Sequence, residues 1–447
     1  MDFIGKRVLV VGLARSGMAA IKVLSKLGAT IILSESKPKE KIKELPELEA
    51  LGVLVVDQSL SVAKEKYDLV VKNPGVHNDI PFMVELYAQG NKVITEIELA
   101  FEVSKPQHFI AITGTNGKTT TTTLTYEILN KAFPGKVHLC GNIGIPLCEI
   151  VMAENLMEEE GHFIALEISN YQLVNIDKFH PEAATIINLS PDHVDVHGTL
   201  DAYYKSKTEV YRNMVKGDTF VLNCDDKTLA EYVAKYPVPA TVETFSLDRT
   251  DTDNFVKDGA LFVKGKRVLS LDKVKLPGKH NLQNVMVAVS LTKSVGVSNE
   301  IIEDVVSKFM GVEHRIEFVR ERDGVRFYND SKGTNTDATV TALKAFDHGV
   351  ILLLGGFEKG LPMDDVKANL GCVKKVIGFG ACGPRLVKET VGDEGLVVND
   401  LAEAVAEAVK IAKSGDTVLL SPSTSSFDQY TCFEERGEHF KKLVNEL

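Results

Sequence analysis

The sequence lacks paired cysteines, long apolar runs and an excess of positive charge. The chain has 447 residues, with six cysteines at positions 140, 148, 224, 372, 382 and 432 and no CxxC pair. Neither a disulfide framework nor a zinc site is expected, and the pattern suits a reducing cytoplasm. No apolar run could span a bilayer, and the N-terminus predicts a first strand rather than a signal peptide. Because the net charge is -11, we expect no nucleic-acid partner and no membrane insertion.

The length and the apolar pattern predict three α/β domains, because a chain of this size exceeds one core. Near-continuous apolar strands such as KRVLVVGL alternate with amphipathic helices such as SGMAAIKVLSKLG. This alternation is typical of parallel sheets covered on both faces. We expect an N-terminal Rossmann-like domain (1–103), a central P-loop ATPase-like parallel sheet (104–310) and a C-terminal Rossmann-like domain (311–447).

The stretch TGTNGKT follows an apolar strand and precedes a predicted helix, which is the context of a phosphate-binding loop. It departs from the common GxxxxGK[ST] pattern at Ile112, where that pattern has glycine. Gly114 and Gly117 allow a tight turn and a close approach to phosphate oxygens. Lys118 can supply charge for the outer phosphates, and the Thr119 hydroxyl can bind Mg²⁺. The structural alternative is a glycine turn with a solvent-facing lysine.

A second turn, GLARSG, follows the first predicted strand. Gly12, Ala14 and Gly17 occupy the positions of a GxGxxG turn, with alanine where glycine normally gives room for a dinucleotide pyrophosphate. The alanine disfavours NAD but leaves room for another diphosphate. Glu35 ends the next strand, where an acid often bonds a ribose. Simple packing of strand against helix explains the same turn, so it does not identify a ligand by itself.

Ionisable residues follow two strands of the predicted central sheet. Glu167 ends an otherwise apolar strand near the phosphate loop, where an acid is a natural ligand of Mg²⁺ or of its water. Four further residues cluster at the next strand end: Asp192, His193, Asp195 and His197. A capping or packing role for these histidines stays open beside a ligand role. Lys207, on the following helix, is from its position alone an exposed helix lysine.

Eight segments together resemble the Mur ligase family: TGTNGKTT, CGNIG, LEISNYQL, NLSPDHVDVHGT, LPGKHNLQN, EHRIEFV, YNDSKGTN and LSPSTSSFDQY. The resemblance covers all three predicted domains, and the last two segments resemble the branch that adds D-glutamate. It implies ATP-dependent ligation of D-glutamate to UDP-N-acetylmuramoyl-L-alanine through an acyl phosphate, in peptidoglycan precursor synthesis. It also implies ATP and two Mg²⁺ ions, and we expect a cytoplasmic monomer.

The resemblance further implies roles for individual residues. The implied ATP-binding residues are Gly114, Thr115, Asn116, Gly117, Lys118, Thr119, Thr120, Asn281, Arg315 and Asp330. The implied catalytic residues are Lys118, Glu167, His193 and Lys207. The implied metal ligands are Thr119, Glu167, His193 and Lys207, the last as a carbamylated lysine. The implied contacts of the uridine diphosphate substrate are Ser16, Gly17, Glu35, Ser36, Asn73, Gly75 and Asn142. The implied contacts of D-glutamate are Lys332, Lys359, Ser426 and Phe433.

Other functions stay open on the sequence. A sister ligase adding another amino acid and a folylpolyglutamate synthase-like ligase would share the phosphate loop. Gly333, Asn170 and Tyr171 also depart from the residues usual in the family, which affects fine substrate contacts. An NAD-dependent oxidoreductase would require saturable NAD binding. A nucleotide-switched regulatory protein would bind nucleotide without substrate-stimulated phosphate release.

Overall fold

The computed structural model describes residues 3–191 and 199–447, and the chain divides into two compact units. Unit 1 comprises Met1–Lys273 and Gln283–Ser307, and unit 2 comprises Val274–Leu282 and Lys308–Leu447. Unit 1 contains two sheets and unit 2 contains one, so the predicted α/β class with three sheets is confirmed. The domain borders at 103/104 and 310/311 stay predictions. Within the described ranges, no helix is long and apolar enough to cross a membrane.

The first sheet of unit 1 has five parallel strands in the order β3-β2-β1-β4-β5. Its strands are β1 (Arg7–Val11), β2 (Thr30–Glu35), β3 (Leu54–Asp57), β4 (Leu69–Lys72) and β5 (Val93–Thr95). The accompanying helices are α1 (Arg15–Lys26), α2 (Leu45–Ala50), α3 (Leu60–Ala63), α4 (Pro81–Ala88) and α5 (Glu96–Val103). The chain order reverses between β1 and β4, and such a switch point opens a ligand crevice at the carboxyl ends of the strands.

The second sheet has nine strands in the order β14-β13-β12-β11-β10-β9-β6-β8-β7. Its strands are β6 (His108–Thr113), β7 (Val137–Gly141), β8 (Phe163–Glu167), β9 (Ala183–Ile186), β10 (Thr219–Asn223), β11 (Thr241–Ser246), β12 (Asn254–Lys257), β13 (Ala260–Val263) and β14 (Lys266–Ser270). The helices are α6 (Lys118–Ala132), α7 (Leu147–Ala153), α8 (Asn170–Leu173), α9 (Leu200–Thr208), α10 (Lys227–Lys235), α11 (Lys279–Ser294) and α12 (Asn299–Lys308). The pairs from β7 to β12 are parallel, whereas β12, β13 and β14 form an antiparallel meander.

The two sheets of unit 1 share one continuous apolar core. Val8 and Leu33 of the first sheet belong to the same buried cluster as Ile164 and Leu166 of the second. Helix α7, which follows a strand of the second sheet, packs against α1 and α5 of the first. Burial of apolar surface therefore stabilises the two sheets together.

The sheet of unit 2 has six strands in the order β15-β16-β20-β17-β18-β19. Its strands are β15 (Glu317–Arg322), β16 (Val325–Asn329), β17 (Val350–Gly355), β18 (Val373–Phe379), β19 (Leu396–Val397) and β20 (Thr417–Leu420). The helices are α13 (Thr336–Leu343), α14 (Asp364–Ala368), α15 (Gly383–Thr390), α16 (Leu401–Ile411) and α17 (Phe433–Asn445). Along β17, Ile351 and Leu353 face one apolar cluster, whereas Leu352 and Leu354 face the other, as strand alternation requires. The neighbouring parallel strands β16, β20 and β17 all end at one edge.

Short 3₁₀ helices lie at Lys39–Lys41, Glu209–Tyr211, Leu271–Lys273, Leu370–Cys372 and Gly392–Glu394.

Candidate active site

The predicted phosphate loop connects β6 to α6 in the second sheet. Gly117 precedes the helix with a φ of +83°, and a Cβ there would lie 2.2 Å from the Asn284 Oδ1. Thr119 and Thr120, in the first turn of α6, are buried. Because the first turn of a helix leaves backbone N–H groups unpaired at its positive end, this turn favours an anion.

The segment after β9 holds the phosphate loop in place. The Asn116 N–H donates to the Asn188 Oδ1 at 2.9 Å, and the Asn188 Nδ2 donates to the Asn116 carbonyl at 3.1 Å. The Thr115 N–H donates to the Asn188 carbonyl at 3.0 Å, and the Thr115 hydroxyl donates to the Ser190 carbonyl at 3.2 Å. Sequence reasoning missed Asn188 and Ser190, although a polar residue directly after a buried strand was a usable signal.

Two lysine ammonium groups converge on the Gly114 carbonyl. The Lys118 Nζ donates to it at 2.9 Å and the Lys207 Nζ at 3.0 Å. Lys118 also donates to the Thr115 carbonyl at 2.8 Å. Both ammonium groups thus lie against the loop, where their charge could attract an anion. Lys118 is folded back onto the loop rather than extended into solvent.

Lys207 corrects one expectation from the sequence. Its side chain is only 1% exposed, although its position predicted an exposed helix lysine. Helix α9 turns this residue inward, where its ammonium lies 4.6 Å from the centroid of the Tyr203 ring. The error arose because the packing of α9 against the phosphate loop is a long-range contact that no local pattern records.

Glu167 is a buried acid on the strand next to the one that leads into the phosphate loop. It ends β8, pairs with Ile112 in the ladder and is buried. Its Oε1 accepts a hydrogen bond from the Asn142 Nδ2 at 2.8 Å, whereas its Oε2 is buried without a partner among the described residues. A buried carboxylate oxygen needs a hydrogen-bond donor or a cation to offset its desolvation. Carboxylate and hydroxyl oxygens are hard ligands, so Glu167 and Thr119 fit Mg²⁺.

Asp192, His193, Asp195 and His197 lie outside the residues that the structure describes, so the predicted role of His193 stays a prediction.

The predicted substrate residues of the first sheet meet at its switch point. The Asn73 Nδ2 donates to the Ser16 Oγ at 3.0 Å, which ties the loop after β4 to the start of α1. The Gly75 N–H donates to the Asn73 Oδ1 at 2.9 Å. A Cβ on Gly17 would lie 2.2 Å from the Gly12 carbonyl oxygen, so this close approach of helix to strand requires glycine.

Glu35 shapes the neighbouring turn. Its Oε2 accepts from the Leu13 N–H at 2.8 Å and its Oε1 from the Ser36 N–H at 2.9 Å. Burial opposes ionisation, but these bonds and that from the Lys37 N–H outweigh it and lower the pKa of Glu35. A cavity of about 690 Å³ opens beside this turn. Its charged lining residues are the basic Arg15, Lys22, Lys37, Lys41 and Lys43 and the acidic Glu35, Glu44 and Glu149.

In unit 2, Asp330 follows β16 and is buried. It accepts hydrogen bonds from the Ser421 hydroxyl at 2.7 Å and from the Ile316 N–H at 3.2 Å. Burial nevertheless raises the pKa of Asp330 to about 7. The nearby Arg315 has a buried Nε without a partner among the described residues. Asn281 donates through its Nδ2 to the Pro277 carbonyl at 2.7 Å.

The four predicted D-glutamate residues also lie in unit 2, on loops after its strands and at the start of α17. The Lys332 ammonium is 5.8 Å from the centroid of the Phe433 ring. The Lys359 Nζ donates to the Thr334 carbonyl at 3.0 Å, and partial burial, followed by the charge of Arg436, lowers the pKa of Lys359. The Ser426 hydroxyl is buried without a partner among the described residues.

Arg436 is a residue of this region that sequence reasoning missed. Its guanidinium is fully buried and donates to the Ser331 carbonyl at 2.8 Å and to the Thr424 carbonyl at 3.1 Å. Burial lowers its pKa to about 10. The signal was present in α17, where Arg436 has the helical spacing of the buried Phe440 and Val444. A cation on the apolar face of a helix is expected to have a specific role.

A phosphate loop at the end of a parallel strand, with a buried acid on the adjacent strand, defines a nucleotide-binding α/β protein. Residues 112–292 match the Mur ligase middle domain, and residues 314–424 match the domain described as "Mur ligase, glutamate ligase domain". The chain is 41% identical over 449 residues to the UDP-N-acetylmuramoylalanine–D-glutamate ligase of Geobacillus kaustophilus (strain HTA426), covering 99% of this chain and 98% of that one. It is 39% identical over 453 residues to the protein of that name from Bacillus thuringiensis (strain Al Hakam), covering 100% and 99%. The chain belongs to the Mur ligase family.

Solved structures support the fold. The MurF ligase of Thermotoga maritima in complex with ADP has a TM-score of 0.59 at 17% identity, covering 100% of this chain and 96% of that one. A pseudomurein peptide ligase type C from Methanothermus fervidus has a TM-score of 0.56 at 16% identity, covering 99% and 100%. At these identities the likeness concerns the fold alone.

Proposed function

We propose that this chain is an ATP-dependent ligase that joins D-glutamate to UDP-N-acetylmuramoyl-L-alanine, a step of peptidoglycan precursor synthesis. The observation that carries the proposal is the complete phosphate loop at residues 114–119, in a chain whose full-length relatives are named UDP-N-acetylmuramoylalanine–D-glutamate ligases. A cytoplasmic location and a monomeric state stay predictions.

The reaction requires activation because a carboxylate is a poor electrophile. The substrate carboxylate attacks the γ-phosphorus of ATP, ADP leaves, and an acyl phosphate forms. The amine of D-glutamate then attacks the acyl carbon and phosphate departs, with the amine proton passing to a base or to water. Lys118 and the first turn of α6 stabilise the phosphate charge by position and electrostatics. Lys207 would add a second positive charge as an ammonium, or hold the metal as a carbamate.

Mg²⁺ would bind the free oxygen of Glu167 and the Thr119 hydroxyl, where it would neutralise further phosphate charge. We also propose that a second Mg²⁺ ion binds His193 and that Lys207 is carbamylated. Carbamylation would replace the Lys207 ammonium with a carboxylate, which is a metal ligand. Chemical rescue of a Lys207→Ala variant by short carboxylic acids distinguishes the cation from the carbamate.

The remaining predicted residues would hold the two other substrates. Ser16 and Asn73, joined by a hydrogen bond at the switch point, would anchor the uridine diphosphate, and this remote binding energy can be used for orientation. Lys332 and Lys359 offer two positive charges for the two carboxylates of D-glutamate. The Ser426 hydroxyl, which has no partner among the described residues, offers a hydrogen bond.

The decisive assay measures phosphate release with ATP, UDP-N-acetylmuramoyl-L-alanine and a panel of D- and L-amino acids. We expect strict dependence on D-glutamate. Dependence on a different amino acid would identify a sister ligase, and release only with a folate acceptor would identify a folylpolyglutamate synthase-like enzyme. Nucleotide binding without substrate-stimulated release would indicate a regulatory protein.

The phosphate loop is tested by Lys118→Ala. We expect turnover to fall by about 10²-fold or more, because the phosphate oxygens lose a preorganised cation. Lys131→Ala, at an exposed position of the same helix, serves as the matched control and should retain activity. Normal turnover in Lys118→Ala would refute the assignment of this loop.

A further inference from the structure

The loop after β17, residues 356–361, carries Lys359 and is fixed on both sides of it. On the N-terminal side, the Phe357 N–H donates to the Ser425 carbonyl at 2.9 Å, and the Thr424 hydroxyl donates to the Phe357 carbonyl. These bonds join the loop to the segment after β20. Lys359 itself is exposed, and its backbone is therefore held by its neighbours rather than by burial.

One arginine holds the loop from the other side. The Arg385 Nε and Nη2, on α15, donate to the two carboxylate oxygens of Glu358 at 2.9 Å and 2.7 Å. The Arg385 Nη1 donates to the Leu361 carbonyl at 3.2 Å and to the Glu389 Oε2 at 2.8 Å. A two-pronged arginine–carboxylate pair fixes geometry as well as charge. Arg385 therefore binds Glu358, which precedes Lys359, and Leu361, which is the second residue after it.

The same pairing controls the charge next to Lys359. The hydrogen bond from Arg385, with a second from the Gly360 N–H, lowers the pKa of Glu358 to about 2. Glu358 is thus ionised, but both of its oxygens are occupied by Arg385, and its Oε1 also accepts from Gly360. An unpaired carboxylate at this position would compete with a substrate carboxylate for the Lys359 ammonium and would repel the substrate.

We propose that Arg385 is a positioning residue for the acidic amino-acid substrate. By holding Glu358 and Leu361, it keeps the Lys359 ammonium beside the Thr334 carbonyl. It also pairs with the carboxylate of Glu358, the residue that precedes Lys359 in the chain. Arg385 does not touch the reacting atoms. The inference rests on the proposed function, because it assumes that Lys359 binds D-glutamate.

The test compares two variants. Arg385→Met removes the positive charge and all hydrogen bonds to the loop, whereas Arg385→Lys keeps a charge but loses the two-pronged pair with Glu358. We expect Arg385→Met to raise the KM for D-glutamate about tenfold, as the loss of one charge-assisted contact does, with kcat and the KM for ATP nearly unchanged. Arg385→Lys should raise the same KM by a smaller factor. Lys410→Met, which breaks the exposed Lys410–Glu407 pair of α16, is the matched control and should change none of these constants.

The outcomes separate the two hypotheses. If the wild type depends on D-glutamate but both Arg385 variants keep its KM, or change kcat and every KM alike, the positioning role is refuted and the proposed function stands. If the wild type shows no D-glutamate dependence, both are refuted. Should Arg385→Met fail to fold by circular dichroism, Arg385→Lys decides alone, and an unchanged KM in it refutes the role.

Discussion

At the scale of single residues, the site depends on charges held where solvent is largely excluded. Lys118 and Lys207 share one carbonyl oxygen, and Glu167 has an oxygen without a donor among the described residues. A phosphate could interact with the two ammonium groups, and a divalent cation could bind the Glu167 oxygen.

Lys207→Ala tests the most buried of these charges. We expect activity to fall about 10²-fold or more, because Lys207 contributes either a cation or, once carbamylated, a metal ligand. Partial rescue by added short carboxylic acids would favour the carbamate. The matched control is Lys205→Ala, at an exposed position of the same helix, which should retain activity. Full activity of Lys207→Ala would remove this lysine from the site.

Residue roles could be predicted only where the local sequence records them. Lys118 was identifiable because strand, glycine turn and helix follow one another within a few residues. The burial of Lys207 could not be predicted, since it depends on a contact between segments far apart in the chain. For Asn188, its position directly after a buried strand was a usable signal, but its partner Asn116 was not predictable. Arg436 lies between these cases, because helical spacing placed it among apolar residues.

At the scale of elements, the start of α6 requires glycine for two separable reasons. A residue with a Cβ is strained at a positive φ, and at Gly117 it would also meet Asn284. Gly135, just beyond the end of α6, has a φ of +77° but no atom within 4 Å of an added Cβ. The two positions therefore separate backbone strain from steric exclusion.

We expect Gly135→Ala to cost about 1–2 kcal/mol of stability and to retain ATP binding, because only the left-handed conformation is penalised. Gly117→Ala should lose ATP binding, because its Cβ also displaces Asn284 or the loop. Thermal unfolding and calorimetric titration with ATP measure the two effects. Wild-type affinity in Gly117→Ala would show that the loop tolerates the added atom.

At the scale of the whole molecule, unit 1 contains a buried acid where its two sheets adjoin. Glu96, the first residue of α5, accepts a hydrogen bond from the Cys148 N–H in α7, and burial raises its pKa to about 7. The folded state therefore binds this proton more tightly than the unfolded state. Its contribution to stability is complete below the unfolded pKa and is lost as the pH rises through about 7.

Glu96→Gln should remove this dependence while keeping an acceptor for the Cys148 N–H. Relative to the variant, the wild type should lose about 2.5 kcal/mol of unfolding free energy between pH 5 and pH 8, because the ordinary pKa of a glutamate lies just below pH 5. Urea unfolding at the two pH values gives the difference. Asp330 titrates in the same direction, so only the comparison with the variant isolates Glu96. Glu127→Gln, at an exposed position of α6, should behave like the wild type, and a pH-independent difference for Glu96→Gln would contradict the assignment.

The three sheets and their α/β class were predictable because apolar runs mark the strands, and apolar residues at helical spacing mark the helices. The order of the strands was not, since parallel pairing joins distant segments such as β16 and β20. The continuous core of unit 1 was not predictable either. In the sequence α1, α5 and α7 are each ordinary amphipathic helices, and nothing in them indicates that they pack against one another.

That continuous core has a practical consequence for handling the protein. Lys105 and Pro106, in the linker between the first two sheets, are exposed, although their backbone is hydrogen-bonded to Leu156 and Gly161. Cleavage there would cut the chain without freeing either piece, because α7 would still grip α1 and α5 across the break. The cleaved protein would give two bands on a denaturing gel but would elute as a single species in size-exclusion chromatography. We expect a fragment that ends at this linker to precipitate, because it would expose part of the shared apolar core.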